Sequence, residues 1–292
     1  MRTARSVEEL GRGDRAIAIG TFDGVHLGHR RVLEAAARAG ATPTVVTFDP
    51  HPRVALGNRV EMISTLDRRL ELIGETGIEE ALLVDFTPSV SALEPEQFAE
   101  QVLEAIGARI VVAGEDFRFG RRRRGDLELL RELGYEVQPV PLLDGISSTA
   151  IRGLVAAGEL PQAALALGRP VEVEGVVVAG DARGGTLGFP TANLAVDPDL
   201  LVPGFGIYAG AAGENRAAVS IGLNPHYGGA ERRIEAFLLD FEGNLYGRRL
   251  VLELWRRLRD ERAFASEADL VAQIARDVEA TRTATRPGPK DG

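Results

Sequence analysis

The 292-residue chain contains no cysteine, which excludes disulfide bonds, thiolate metal sites and cysteine nucleophiles. Its one lysine, Lys290, lies near the C-terminal end. This excludes a P-loop, which needs a Gly-Lys pair, and lysine Schiff-base chemistry. No apolar run approaches the ~18 residues of a membrane span, and the N-terminal segment lacks the apolar centre of a secretory signal. We therefore expect a cytoplasmic protein.

The net charge of −9 argues against a broad nucleic-acid-binding surface. No nucleic-acid partner and no membrane partner are expected. The one basic cluster is the run of four arginines at 121–124. Such a run is typical of a solvated loop, and the alternative is that it attracts a polyanionic small molecule.

Apolar runs alternate with helical patterns through the first half of the chain. We predict strands over residues 16–20, 42–48, 80–86, 108–114 and 135–141, and helices over 28–39, 66–77, 94–107 and 126–134. This alternation is typical of an α/β fold with a doubly wound parallel sheet. Ligands of such sheets bind at the carboxyl ends of the strands.

The second half of the chain has a different pattern. A helical stretch with one break covers residues 147–168, and short strands and turns follow it. This pattern predicts an antiparallel barrel or sandwich, closed by a helix over 266–282. We expect two domains, 1–168 and 169–284, and a disordered tail, 285–292.

The stretch GTFDGVHLGH, residues 20–29, holds two of the four histidines. It joins a predicted strand to a predicted helix, and backbone N–H groups at a helix start can bind phosphate. As imidazolium, His26 and His29 could stabilise charge on a reacting phosphoryl group, and Gly28 would let the backbone approach closely. The alternative is that both histidines are helix caps or core contacts. The spacing of the pair favours a phosphate site.

In the second half, PTAN at residues 190–193 follows a glycine-rich stretch. Thr191 and Asn193 are two residues apart, so on an extended segment they face the same side. Both carry oxygen ligands, which Mg²⁺ prefers. The alternative is a turn closed by a Thr–Asn hydrogen bond.

Four segments of the first half resemble the FAD synthetase branch of the nucleotidyltransferase superfamily: GTFDGVHLGH (20–29), TFDPHP (47–52), GEDFRFG (114–120) and ISSTAIR (146–152). The resemblance implies that His26 and His29 bind ATP phosphates and stabilise the transition state. It also implies that Ser148 and Arg152 hold the departing β- and γ-phosphates, for which the arginine fork is suited. Further nucleotide- or flavin-binding residues implied by it are Gly20, Phe22, Asp23, Gly28, Asp116 and Phe117.

Three residues near the predicted phosphate site each have two possible roles. Asp23, Asp49 and His51 could take part in the site or simply make turns at strand ends. The chain also departs from many relatives at Ala150, where they carry arginine.

Six segments of the second half resemble riboflavin kinase over residues 172–282: GFPTANL (188–194), GIYAG (206–210), IGLNP (221–225), IEAFLLDF (234–241), LYG (245–247) and LRDERAF (258–264). The resemblance implies that Thr191 and Asn193 hold Mg²⁺ and the ATP phosphates. It implies that Glu235 is the general base for the riboflavin 5′-hydroxyl, although a solvated strand position is the alternative. Nucleotide contacts are implied for Arg183, Gly188 and Pro190. The chain departs from relatives at Gly185 and His226.

Together the two resemblances predict a bacterial-type bifunctional riboflavin kinase and FAD synthetase. It would phosphorylate riboflavin to FMN with ATP, then transfer AMP from ATP to FMN, giving FAD and pyrophosphate. Positioning, metal and electrostatics carry such transfers, so no covalent nucleophile is needed. The alternatives are an FAD synthetase with a degenerate kinase domain, and a non-catalytic flavin-binding protein. Binding alone does not require a base, so Glu235 argues against the last.

Overall fold

The computed structural model describes residues 1–180, 189–224 and 231–288. The chain divides into two compact units. The first unit comprises Met1–Val60 and Leu66–Ser147, and the second comprises Glu61–Thr65 and Ser148–Gly292.

The first unit is built on a six-stranded parallel sheet with helices on both faces. Its strands are β1 Arg2–Ala4, β2 Arg15–Ile19, β3 Thr42–Asp49, β4 Glu80–Asp85, β5 Ala108–Gly114 and β6 Glu136–Val140. Its helices are α1 Val7–Leu10, α2 Leu27–Ala37, α3 Pro52–Ala55, α4 Leu66–Gly74, α5 Pro88–Ser91, α6 Pro95–Phe98 and α7 Leu127–Glu132, with a π-helix at Ala99–Glu104 and a 3₁₀ turn at Arg121–Arg123. The strand order is β1-β4-β3-β2-β5-β6, and all neighbours run parallel.

Strand β2 lies inside the sheet, between β3 and β5, and both of its faces are covered. Ile17 packs into a core cluster that includes Phe98 and Leu130, whereas Ala16 and Ala18 pack into a second cluster with helix α2. Successive side chains of a strand point to opposite faces, so a strand buried on both sides is apolar throughout. The predicted doubly wound sheet is confirmed.

The order of the strands reverses at β2, since β3 lies on one side of it and β5 on the other. Loops that leave the carboxyl ends of strands diverge at such a point and open a crevice. The loop that follows β2 begins at Gly20. The sheet therefore places the segment 20–29 at its topological switch point.

The second unit contains a closed antiparallel barrel. Its strands are β7 Val171–Val178, β8 Ala192–Val196, β9 Gly206–Ala212, β10 Asn215–Asn224, β11 Glu231–Leu238 and β12 Arg249–Arg259, in the order β10-β11-β8-β7-β12-β9. Its helices are α8 Ser148–Ala156, α9 Leu160–Leu167 and α10 Glu267–Arg282. The barrel and the closing helix are confirmed. The Ser266 hydroxyl accepts a hydrogen bond of 3.1 Å from the Asp269 backbone N–H, as expected of a helix cap.

Helix α10 is tied to the barrel by a buried ion pair. The Arg259 guanidinium donates to both carboxylate oxygens of Asp277, from Nε to Oδ1 at 3.1 Å and from Nη2 to Oδ2 at 2.7 Å. The Arg216 guanidinium donates to the carbonyl oxygens of Thr281 and Ala284 near the end of the helix, at 3.0 and 2.7 Å. These contacts fix the helix against strands β10 and β12.

Several elements differ from the sequence-based description. Strand β1 and helix α1 were not predicted, because three residues at a sheet edge carry no hydrophobic period. The helix predicted over 94–107 is a short α-helix continued by a π-helix. Residues 285–288 of the predicted disordered tail are ordered, since Arg286 binds the Glu253 carboxylate at 2.7 Å, and residues 289–292 lie outside the described residues.

The domain division predicted from the sequence and the division seen in the structure assign helices α8 and α9 to different units. The sequence pattern groups both helices with the first domain, whereas contacts group them with the barrel, where α9 packs on β7 and β12. Both helices have an apolar face, but the sequence does not show which sheet that face packs against. A domain boundary near residue 168 stays a prediction.

Candidate functional sites

Helix α2 begins at a tight loop that presents two imidazole rings. The loop is made possible by positive φ angles at Phe22, Gly24 and Val25, of 52°, 76° and 38°. His26 is the N-cap of α2, and its Nδ1 atom accepts a hydrogen bond of 3.2 Å from the His29 backbone N–H. The two rings stack with centroids 3.6 Å apart. The capping alternative is therefore correct for His26, and it brings the two rings together at the helix start.

Burial changes the chemistry expected of His29. Its pKa lies well below 6.5, first because burial disfavours the charged ring, then because His26 and Arg69 lie close by. Its Nδ1 atom is buried and has no hydrogen-bond partner within the described part of the chain. This environment favours neutral imidazole for His29, not the imidazolium considered from the sequence. A neutral ring still donates one hydrogen bond to a phosphate.

Two glycines of this loop lie close to neighbouring rings, which leave little room for a larger side chain. A Cβ atom on Gly28 would lie 3.2 Å from a ring carbon of His26, and one on Gly20 would lie 3.2 Å from the ring of Phe22. The Phe22 ring in turn meets His29 edge-on, with centroids 5.3 Å apart. Glycine at 28 thus admits the His26 ring, a reason that differs from the close phosphate approach expected from the sequence.

Arg69 was missed by the sequence analysis. It lies on α4 and is 2% exposed. Its Nη1 donates to the Thr21 carbonyl oxygen at 3.2 Å, and its Nη2 donates to the Phe48 carbonyl oxygen at 3.0 Å. The sequence did contain a signal of its burial. Arg69 follows Leu66 by three residues and precedes Leu72 by three, so it lies on the apolar face of the helix.

The remaining candidates of the first unit lie around the same strand ends. Asp23 is buried at 1% exposure in the loop after β2, and Asp49 is the last residue of β3. The Nδ1 atom of His51 accepts a hydrogen bond of 3.0 Å from the Arg53 backbone and caps α3. Asp116 and Phe117 follow β5, and the Phe117 ring stacks on Phe119 with centroids 5.7 Å apart. The roles of these residues stay predictions.

The arginine run lies in the loop after β5. Arg121 and Arg124 both bind the Glu94 carboxylate, each at 3.1 Å. Within the described ranges, Arg122 and Arg123 form no ion pair. Both are exposed, with φ angles of 52° and 59°. All four arginines are exposed, and the solvated-loop and polyanion interpretations of the run both stay predictions.

Ser148 and Arg152 belong to the second unit, in the first turns of α8. The Arg152 Nε donates to the Glu61 carbonyl oxygen at 2.7 Å, which joins α8 to the segment Glu61–Thr65 of the same unit. Ala150 lies between them on the helix. The phosphate-binding role of Ser148 and Arg152 stays a prediction.

In the barrel, the fold gathers the residues implied by the second resemblance. Strands β8 and β11 pair so that Asn193 lies opposite Glu235. The Thr191 hydroxyl donates to the Oε1 atom of Glu235 at 3.4 Å. Thr191, Asn193 and Glu235 thus form one polar cluster, although Glu235 follows Thr191 by 44 residues in sequence.

Arg233 joins this cluster and was not predicted. Its Nε donates to Asn193 Oδ1 at 3.1 Å, and its Nη2 donates to Glu235 Oε1 at 2.7 Å. Positions two apart on a strand share a face, so a charged residue two positions before the predicted base was the signal available in the sequence. Both bonds to Glu235 use Oε1, and Oε2 accepts none from the described residues.

Two cavities border this cluster, and Thr191 lines both. One, of about 380 Å³, is lined by Glu235 and Arg233 together with aromatic and charged side chains, among them Phe189, Phe237, Glu261 and Phe264. The other, of about 390 Å³, is lined by Pro190, Asn244 and Tyr246 among others. Cavities of this size suit small organic ligands.

Glu261 places a second carboxylate in the first cavity. Burial raises its pKa, nearby Arg259 opposes this, and the charge of Glu235 raises it further. A Cβ on Gly222 would lie 2.1 Å from Glu261 Oε1, so glycine at that position leaves room for the carboxylate.

Four residues discussed from the sequence lie outside the described residues. They are Arg183, Gly185, Gly188 and His226. Among the described residues, no group of three or more His, Cys, Asp or Glu side chains is placed to hold a metal ion. The predicted Mg²⁺ ligands are of another kind, a hydroxyl and an amide oxygen. Within the same residues, no helix is long and apolar enough to span a membrane.

Comparison with known proteins matches both halves of the chain. The family model for FAD synthetase matches residues 10–150, and that for riboflavin kinase matches residues 167–285. A bifunctional riboflavin kinase/FMN adenylyltransferase of Listeria monocytogenes is 36% identical and covers 92% of each chain. Proteins of the same name from Bacillus subtilis and Escherichia coli K12 are each 34% identical, over 89% and 95% of this chain, and 89% and 96% of theirs.

A solved structure is also similar over nearly the whole chain. It is the crystal structure of a protein named a macrolide-efflux protein, from Streptococcus pneumoniae. The TM-score is 0.86 at 31% identity, over 97% of this chain and 99% of that one.

Proposed function

This chain belongs to the bifunctional riboflavin kinase/FMN adenylyltransferase family, and on that premise we propose which of its residues perform each reaction. It phosphorylates riboflavin to FMN and adenylylates FMN to FAD, with ATP in both steps. The observation that carries the kinase assignment is the cluster of Thr191, Asn193 and Glu235 between two cavities.

For the kinase step, Glu235 is the general base. Its Oε1 is held by Arg233 and Thr191, and its Oε2 accepts no hydrogen bond from the described residues. Oε2 is therefore the atom that takes the proton of the riboflavin 5′-hydroxyl as that oxygen attacks the γ-phosphorus of ATP and ADP leaves. The side chain is 26% exposed, so substrate can reach it.

Mg²⁺ fits this cluster because the proposed ligand atoms, the Thr191 hydroxyl and the Asn193 amide oxygen, are oxygens, which Mg²⁺ prefers. We propose that Thr191 and Asn193 hold it together with the ATP phosphates, as magnesium sites combine few protein ligands with phosphate oxygens. When bound, the ion neutralises charge on the transferred phosphoryl group. The Asn193 oxygen accepts a hydrogen bond of 3.1 Å from Arg233, so Arg233 orients the amide that would hold the ion.

For the adenylyl step, the His26–His29 pair binds the ATP phosphates at the start of α2. The phosphate oxygen of FMN attacks the α-phosphorus of ATP, the bond to the β-phosphate breaks, and pyrophosphate leaves. Neutral His29 donates a hydrogen bond, while backbone N–H groups of the helix start favour the developing negative charge. Asp116 and Phe117 are the proposed contacts of the nucleotide or flavin.

The test is a chromatographic time course with riboflavin, excess ATP and Mg²⁺. FMN that rises and then gives way to FAD supports both activities on one chain. FMN that accumulates contradicts the adenylyl assignment. FAD formed only from added FMN would show that the kinase domain is degenerate, and a purified protein that binds flavin but forms neither product would be a binding protein.

A further inference from the structure

Arg69 is a buried cation that forms no ion pair within the described part of the chain. It is 2% exposed, and its hydrogen bonds go to two backbone carbonyl oxygens, those of Thr21 and Phe48, at 3.2 and 3.0 Å. Its Nε is buried and makes no hydrogen bond within that part. Asp23 and Asp49 stabilise its charge at longer range, against the burial that lowers its pKa.

Packing alone does not explain a buried arginine at this position. Removing a guanidinium from water is costly unless charges and hydrogen bonds compensate, and here the Nε–H group has no hydrogen-bond partner among the described residues. Helix α4 buries Leu72 and Ile73 on the same face, where a leucine at position 69 would continue the apolar surface. A buried polar group that is left incompletely satisfied requires an explanation beyond stability.

The two carbonyl groups that Arg69 binds belong to the loop after β2 and to the carboxyl end of β3. Thr21 lies between Gly20 and Phe22, in the loop that leads to the histidines, and its carbonyl oxygen also accepts from the Thr47 hydroxyl at 3.2 Å. Phe48 precedes Asp49 at the end of β3. A guanidinium is a rigid planar fork, so two bonds from it fix the spacing of both groups.

We propose that Arg69 is a positioning residue for adenylyl transfer, whose fork fixes the loop after β2 against the carboxyl end of β3 so that the His26–His29 pair meets the phosphates. This inference rests on the proposed role of the two histidines. The charge of Arg69 acts in the same direction, because it is one of the causes that lower the pKa of His29, after burial and His26. Asp23 and Asp49 also lie near Arg69, and their charges raise the pKa of Arg69 itself.

The experiment compares Arg69→Met and Arg69→Lys with the wild type. For each we would measure kcat and KM of FAD formation from FMN, the rate of FMN formation from riboflavin, and the titration of the histidine rings by NMR. Four histidines give few signals, and His29→Ala identifies that of His29. Arg68→Met is the matched control, since Arg68 is the neighbouring arginine on α4 and binds Glu71 at 3.0 Å.

Arg69→Met is expected to lose about 10²-fold in kcat of FAD formation, the usual cost of a misplaced catalytic group. Its KM for FMN and its FMN formation should stay near wild type, and its His29 pKa should rise. Arg69→Lys keeps the charge but not the fork, so the His29 pKa should return toward wild type while kcat recovers only in part. Arg68→Met should change none of these quantities.

A wild-type kcat in Arg69→Met would overturn the inference. So would a loss of kcat without any change in the His29 titration, since that marks a purely structural residue. If Arg69→Met does not fold, Arg69→Lys decides, and a fully wild-type kcat there contradicts the need for the fork. A wild-type protein that forms no FAD would instead overturn the proposed function of the site.

Discussion

Arg233 donates a 2.7 Å hydrogen bond to the Oε1 atom of Glu235, its neighbour on the same face of β11. The same guanidinium holds the Asn193 side chain across the strand pair at 3.1 Å. One arginine therefore orients both the proposed base and a proposed magnesium ligand, and leaves the second carboxylate oxygen of Glu235 for the substrate proton.

Replacing Glu235 by glutamine is expected to lower FMN formation from riboflavin by about 10² to 10⁴-fold, because the amide cannot take the hydroxyl proton. Conversion of added FMN to FAD should continue at the wild-type rate. Chromatography of both reactions measures this. Glu253→Gln is the control, since that barrel glutamate binds Arg286 and lines neither cavity. Equal loss of both reactions in a folded Glu235→Gln protein would contradict the two-site assignment.

His29→Ala should abolish FAD formation and spare FMN formation. The substitution removes the ring that stacks on His26 at 3.6 Å and its hydrogen bond to the phosphates. The kinase reaction of the same variant is the internal control for folding of the barrel. An FAD yield from FMN that matches the wild type would show that His29 has no part in the transfer.

Gly180→Ala should impair the kinase through Asn193. A Cβ at position 180 would lie 2.1 Å from the Asn193 amide nitrogen, so the amide must move. We expect a higher KM for Mg-ATP in FMN formation and unchanged FAD formation from FMN. Gly204→Ala is the matched control, because a Cβ there meets no atom within 4 Å. An unchanged KM in Gly180→Ala would argue that Asn193 does not bind the metal–nucleotide complex.

The pH dependence of stability follows from His29. Its folded-state pKa lies well below 6.5, so the native protein binds fewer protons than the unfolded chain in the window below pH 6.5. The contribution of His29 is thus present above pH 6.5 and lost as the pH falls through the folded pKa. Urea unfolding should show the wild type losing more stability than His29→Asn between about pH 7 and about pH 5. Parallel curves for the two proteins would contradict the lowered pKa.

The sequence was sufficient for most secondary structure. Strands β2, β3, β4 and β5 were placed to within one residue at each end, because apolar runs buried on both faces stand out from their surroundings. Strand β1 and helix α1 were missed because their few residues carry no period. Strand β8 was described only as an extended segment, because Thr191 and Asn193 were considered as Mg²⁺ ligands and no strand was assigned to this segment.

Local spacing also anticipated half of the candidate sites. His26 and His29 are three apart at a helix start, so the chain itself brings their rings together. Thr191 and Asn193 are two apart on an extended segment, and they lie in one cluster for the same reason. What the spacing did not reveal was the protonation of His29, which depends on burial by residues far along the chain.

The sequence by itself therefore determined the two fold types and the groups whose members are neighbours along the chain. Only the tertiary structure decided which distant groups meet. Strand pairing sets Glu235 opposite Asn193, and the packing of α4 against the sheet puts Arg69 on the carbonyl oxygens of Thr21 and Phe48. The physical reason is that periodicity records which face of an element is buried, whereas the partner of a buried polar group depends on the pairing and packing of elements remote in sequence.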